Sequence, residues 1–164
     1  MTAFSSTMDT QLGPFTAIVS PTGAVLASGW TARVDDLLPV IHKDIRPGSV
    51  TERADLGDVT KAIVAYHDGD LTAIDPIEVH QRGGEFVQHA WDVLRTVPAG
   101  KPTTYMDYAA LSGRPAAIRA AAMACASNAA ALFVPCHRIT RTGGGMGGFR
   151  WGIEIKRQLL AHES

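Results

Sequence analysis

Around residue 80 the chain changes character. The stretch "HQRGGEF" (80–86) separates short apolar runs broken by turn residues from longer segments with helical periodicity. The 164 residues therefore read as two small units, not one continuous sheet or bundle. The boundary falls near Gly83 and Gly84, giving an N-terminal α/β unit over 1–82 and a mainly helical unit over 83–164. In the first, "FTAIVS" and "AVLASGW" read as two strands joined at "PTG", a turn suited to a hairpin. "RVDDLLPVIHKDI" spaces Val34, Leu37, Leu38 and Ile41 as a helix would, but Pro39 kinks it or confines it to short turns. "LGDVTKAIVAYHDG" repeats Leu56, Val59, Ile63 and Tyr66 and stops at Gly69, which predicts a second helix. A short strand around Ile77 to Val79 is expected to complete the sheet.

The second half opens with "EFVQHAWDVLRTV", whose Phe86, Ala90, Trp91 and Leu94 share one helical face. Then "TTYMDYAALSGRPAAIRAAAMACASN" reads as a short helix, a turn, and a second helix started by Pro115. That is the outline of a helix-turn-helix, although a plain helical hairpin gives the same pattern. Residues 116–126 are mostly alanine. This suits high helix propensity, and it also suits close approach of the backbone to another surface. Arg119 projects from that field as a long cation fit for a nucleic-acid groove.

With 46% hydrophobic residues the chain can bury a core. No window approaches the ~20 apolar residues of a membrane span, and the first fifteen residues lack the features of a signal peptide, so a cytoplasmic address is expected. The two cysteines, Cys125 and Cys136, then stay reduced; neither belongs to a CxxC pair, and the histidines lack ligand spacing, so no metal is expected. Five Lys/Arg stand against eleven Asp/Glu through Gln81, and ten against five from Arg82 onward. The second half is the one suited to a polyanion.

In "LFVPCHRITRTGG" an apolar run stops at Pro135 and delivers Cys136 to a fixed place. A free cysteine is often only a small buried hydrophobe. His137 and Arg138 argue for more, because cations beside a thiol lower its pKa and the thiolate is the nucleophile. On residue type alone, His137 reads equally as a capping residue.

"PCHRI", together with "EFVQHAWDVLRTVPAGKPTTYMDYA", the arginine helix, Asn128 and "KRQLLAHE" in that order, resembles the O6-alkylguanine-DNA alkyltransferases. The resemblance runs from about Phe86 to Glu163 and, more loosely, back to the strands near residue 15. It implies a small sheet-plus-helix domain followed by a winged-helix-like domain with a helix-turn-helix. It also implies irreversible transfer of an alkyl group, mainly methyl, from guanine O6 to Cys136, once per molecule and without a cofactor. His137 would take the thiol proton through a water, Glu163 would orient the imidazole, and Asn128 would brace the cysteine turn. Tyr105 would crowd the phosphate and donate to the departing guanine, while Arg119 would fill the gap left by the flipped nucleotide. Thr104 and Ala120 fall in the same DNA-contacting set. Cys125, Ile139, Phe149, Arg150 and Trp151 would line the alkyl pocket, with carbonyls near Cys136 and Ile139 recognising the guanine amino group. The partner would be double-stranded DNA containing O6-alkylguanine, held through the minor groove by a monomer with no membrane association.

Some positions depart from the family pattern. Phe149 stands where many members have tyrosine, Trp151 where others have a small residue, Cys125 where an apolar residue is common, and Ala129 where a proline is frequent. These bear on pocket size. Trp151 also reads as a core anchor before the last helix. Two other functions compete: a binding protein that recognises alkylated guanine without transfer, and a thiol hydrolase using Cys136 and His137. Retention of the cysteine disfavours the first.

Overall fold

The computed structural model describes residues 1–164. They group into two compact units, Met1–Arg82 with Ala129–Phe133, and Gly83–Asn128 with Val134–Ser164. Five residues from within the 83–164 stretch thus pack with the N-terminal unit.

That unit is a four-stranded sheet of order β3-β2-β1-β4, built from β1 (Thr2–Thr10), β2 (Gly13–Val19), β3 (Val25–Gly29) and β4 (Ser49–Glu52). β2 pairs antiparallel with both neighbours, and β4 runs parallel to β1. The two predicted strands are β2 and β3, closed by Ser20 N to Ala24 O at 2.8 Å. β1 escapes a hydrophobicity reading because it is rich in Ser and Thr, yet Ser5 and Ser6 are buried within it. The sheet is completed at β4 and not at residues 77–79, which form only a single bridge, Val79 to Val25. The Pro39 segment is two short 3₁₀ turns, Val34–Asp36 and Leu38–Val40, with proline in the second. The helix α1 (Asp58–His67) buries Val59, Ala62, Ile63, Tyr66 and His67. Trp30 packs edge-on against Phe15 at 4.9 Å and donates from Nε1 to His67 Nε2 at 3.4 Å.

Residues Ala129–Phe133 are tied to this sheet by their backbone. Ser28 N donates to Ala129 O (2.9 Å), Ser28 Oγ to Ala131 O (2.8 Å), and Ala129 N donates to Gln81 Oε1 (2.8 Å). Leu132 has φ 78° and is fully buried. A left-handed leucine is strained and persists only where its surroundings over-determine it.

The second unit comprises α2 (Glu85–Leu94), β5 (Thr103–Thr104), α3 (Tyr105–Leu111), α4 (Ile118–Ala126), β6 (Ile139–Thr140) and α5 (Ile153–Glu163). β5 and β6 pair in parallel, a minimal wing beside the helix-turn-helix of α3 and α4. α2 binds both helices: Tyr108 Oη donates to Ala90 O (2.6 Å) and Trp91 Nε1 to Ala124 O (2.8 Å). Ala109, Ala121 and Ala124 are fully buried, so the alanine-rich composition serves close packing of α4 on its neighbours. α4 begins at Ile118, three residues later than Pro115 suggests, because the Arg114–Ala117 segment forms a turn closed by Ala117 N to Arg114 O (2.9 Å). No helix is long and apolar enough to cross a membrane.

Candidate active site

Pro135 has φ −82° and ψ 65°, and Cys136 N donates back to Val134 O at 2.8 Å. This is an inverse γ-turn, a bend that proline's ring favours on the φ side. It hands Cys136 into a 3₁₀ turn, Cys136–Arg138, with the residue nearly buried at 9% exposure. Asn128, just past the end of α4, donates through Nδ2 to Val134 O (2.8 Å) and to Cys136 Sγ (3.3 Å). One amide therefore holds both sides of the bend.

Burial pushes the Cys136 thiol up from its ordinary range, while the Asn128 hydrogen bond and the charges of Lys156 and Arg150 pull it back in part. The expectation that His137 and Arg138 lower it is corrected. A 3₁₀ helix turns a full circle in three residues, so successive side chains leave in three directions. Arg138 turns to Glu163, with Nε to Oε1 at 3.0 Å and Nη2 to Oε2 at 2.9 Å, and donates from Nη1 to Val97 O at 2.8 Å. The cations that act on the sulfur are Lys156 and Arg150.

His137 is fully buried and its Nε2 lies 2.8 Å from Glu163 Oε2. Burial lowers the imidazole below its usual range despite the pull of Glu163. Burial alone would raise Glu163, but the hydrogen bonds and charges of His137 and Arg138 win and bring it to about 2. A carboxylate only accepts, so Nε2 carries the proton and Nδ1 keeps a lone pair. Nδ1 is buried and bonded to no protein atom. The result is a neutral imidazole held in one orientation.

Tyr105 opens α3 and is half-buried. Burial first, then the neighbouring Cys125 and Cys136, push its hydroxyl up to about 12, so it stays a donor at neutral pH. A Cβ at Gly147, where φ is 75°, would come within 2.8 Å of Tyr105 Oη, so the loop after β6 closes over the tyrosine only with glycine there. Thr104 caps α3 by accepting from Asp107 N at 3.1 Å. Arg119 is exposed in the first turn of α4 and Ala120 beside it is half-buried. Cys125 is half-buried, and desolvation with the nearby Cys136 raises its thiol well above the ordinary range.

Among the expected pocket residues, Ile139 is fully buried and its carbonyl already accepts from Lys156 Nζ at 2.7 Å. Phe149 and Trp151 are half-buried, so Trp151 is no part of the buried core. Arg150 points back to the end of α4, donating from Nη1 to Asn128 O at 2.7 Å and from Nη2 to Ala126 O. Lys156 is the residue that sequence reasoning missed. It is fully buried on α5, also reaches Gly148 O (3.3 Å), and lies 5.9 Å from the Tyr105 ring centre. Its presence in "KRQLLAHE" carried no sign that a lysine would face inward. The cluster holds no group of three or more His, Cys, Asp or Glu placed to bind a metal.

Residues 85–164 match the family described as "6-O-methylguanine DNA methyltransferase, DNA binding domain". The bifunctional transcriptional activator/DNA repair enzyme Ada of Escherichia coli is 40% identical over 106 residues, 65% of this chain and 29% of Ada. The match thus spans less than a third of Ada's length. The methylated-DNA–protein-cysteine methyltransferase of Salmonella typhimurium is 32% identical over 159 residues, covering 94% of this chain and 91% of that one. The crystal structure of Mycobacterium tuberculosis OGT in complex with DNA superposes with a TM-score of 0.78 at 26% identity, over 98% of this chain and 92% of the other. With a relative of that identity matched over nearly its whole length and the fold shared throughout, the chain belongs to the methylated-DNA–protein-cysteine methyltransferase family.

Proposed function

We propose that this protein repairs double-stranded DNA by moving an alkyl group, chiefly methyl, from O6 of guanine to Cys136 Sγ, once per molecule and without a cofactor. It works as a cytoplasmic monomer whose catalytic unit is the 83–164 stretch. The observation that carries the reading is the orientation of His137: Glu163 fixes the Nε2 proton and leaves Nδ1 with a lone pair, on the residue next in sequence to the cysteine.

In the proposed reaction the thiol proton passes to His137 Nδ1 through one water. Sγ then attacks the alkyl carbon, the S–C bond forms, and the C–O6 bond breaks with its electrons going to the base. Tyr105 donates a hydrogen bond to the departing guanine anion, which takes up one proton on its ring from water, and His137 returns the thiol proton to water, so the proton count closes. Because the target lies inside the stack, the nucleotide is flipped out. Arg119, exposed on α4, fills the space, with Thr104 and Ala120 against the backbone of a minor groove. The minor groove carries the less discriminating code, which suits repair in any flanking sequence.

The test is mass analysis of the intact protein and its peptides after mixing with a duplex containing O6-methylguanine. One methyl per molecule on Cys136, and no further turnover, is the expected result. Repeated turnover would point to a hydrolase, and tight binding without added mass to a recognition protein.

A further inference from the structure

The loop between β6 and α5 sends one side chain back onto the end of α4. Arg150 donates to the carbonyls of Ala126 and Asn128. Ala126 is the last residue of that helix, so these are acceptors the helix cannot satisfy by itself. A cation is favoured at the negative end of a helix, and the rigid guanidinium fork holds two acceptors at once. The residue whose carbonyl is held in this way, Asn128, is the same one whose amide reaches Val134 O and Cys136 Sγ. Arg150, Asn128 and the sulfur therefore form a linked series in which each member fixes the next.

We propose that Arg150 is a positioning residue for Cys136: by clamping the end of α4 it aims the Asn128 amide at the sulfur and makes the thiol's reactivity depend on the placement of that helix. The inference rests on the reading that Cys136 is the acceptor. It differs from a pocket-lining role, because two donors of the guanidinium face the helix end. The electrostatics agree. Against the burial of the thiol stand the Asn128 hydrogen bond, Lys156 and Arg150, in that order, so losing Arg150 removes a charge and loosens a hydrogen bond. The titratable and charged groups around the sulfur are Arg150, Lys156 on α5, Cys125 on α4, Tyr105 and Tyr108 on α3, and the adjoining His137. An exposed helix that meets DNA would then be joined to the chemistry through its own C-terminal end.

The full-length protein is treated with iodoacetamide across a range of pH, and carbamidomethylation of Cys136 is followed by peptide mass. The S–C bond forms as iodide leaves and the thiol proton goes to buffer, so no DNA is required. Arg150→Ala should slow the reaction at neutral pH about tenfold and move its midpoint up by about one pH unit. Arg150→Lys, which keeps the charge but loses the fork, should recover only part of the rate. The double variant Arg150→Ala with Asn128→Ala should be less impaired than the two single effects combined, because one acts through the other. Should the alanine variant melt early, Arg150→Gln keeps a donor and drops the charge, with a shift of the same sign. A profile that coincides with that of the unaltered protein in a folded Arg150 variant, or fully additive effects, would overturn the proposal. Normal methyl uptake from DNA beside an unshifted profile strikes only this inference; a shifted profile without methyl uptake strikes only the proposed reaction.

Discussion

Trp151 occupies the turn before α5 as a half-exposed indole adjoining Arg150. In the proposed reaction this ring leaves room for methyl and crowds a benzyl-sized group, and forcing extra volume into a packed site costs ~1–3 kcal/mol. Trp151→Gly should raise the rate with O6-benzylguanine by roughly ten- to a hundred-fold, at about 1.4 kcal/mol per tenfold. Methyl transfer should change much less. Both rates are to be measured beside the melting temperature; a variant that gains no benzyl reactivity removes Trp151 from the pocket. At this scale the sequence was readable where a residue's chemistry is local. Cys136 after Pro135 was singled out from its neighbours, and Asn128 and Glu163 through the family pattern. Arg138 and Lys156 were not readable, because their partners lie 25 and 17 residues away and the direction in which each side chain leaves is set by the turn or helix beneath it. Adjacency in sequence pointed Arg138 at the sulfur, and the 3₁₀ turn points it at Glu163.

At the scale of elements, α4 is a nine-residue helix with buried alanines on one side and Arg119 exposed at its start. If Arg119 takes the place of the flipped nucleotide, it offsets part of the few kcal/mol that unstacking and unpairing cost. Arg119→Ala should then slow repair in duplex DNA by about tenfold or more, each tenfold being about 1.4 kcal/mol, and leave transfer from the free alkylated base nearly unchanged. Equal losses on the two substrates would assign Arg119 to the fold instead. Elements with a periodic apolar face, α1 and α2, were legible from residue spacing. β1 was not, since its hydroxyls hide a strand that satisfies backbone groups on both sides. Pro115 misplaced the start of α4 because proline suits the second position of a turn as well as the first turn of a helix.

For the whole molecule, the buried group of His137, Arg138 and Glu163 sets the response to acid. Glu163 is held near 2 against an ordinary 4.5, so its contribution is complete above about pH 4.5 and is lost as pH falls toward 2, on the order of 3 kcal/mol. His137 acts in the same direction at higher pH, because the buried neutral imidazole resists a proton that the unfolded chain accepts below about 6.5. Urea melts at a series of pH values should show stability falling from about pH 6.5 downward. Glu163→Gln should flatten the limb below pH 4.5 while costing about 3–5 kcal/mol near neutrality, because Arg138 is left buried without its counter-charge. An unchanged acid limb in that variant would show that other carboxylates govern it.

Ala129–Phe133 belong by their contacts to the N-terminal unit, yet they join Asn128 to Val134, both of which hold Cys136. Ser28 and Gln81, which fasten that segment, leave the ribosome long before it does. During synthesis the earlier unit can fold first, and the strained Leu132 then settles on a template already made. The segment that joins Asn128 to Val134 thus settles on a strand whose Ser28 is encoded 103 residues upstream of Ala131.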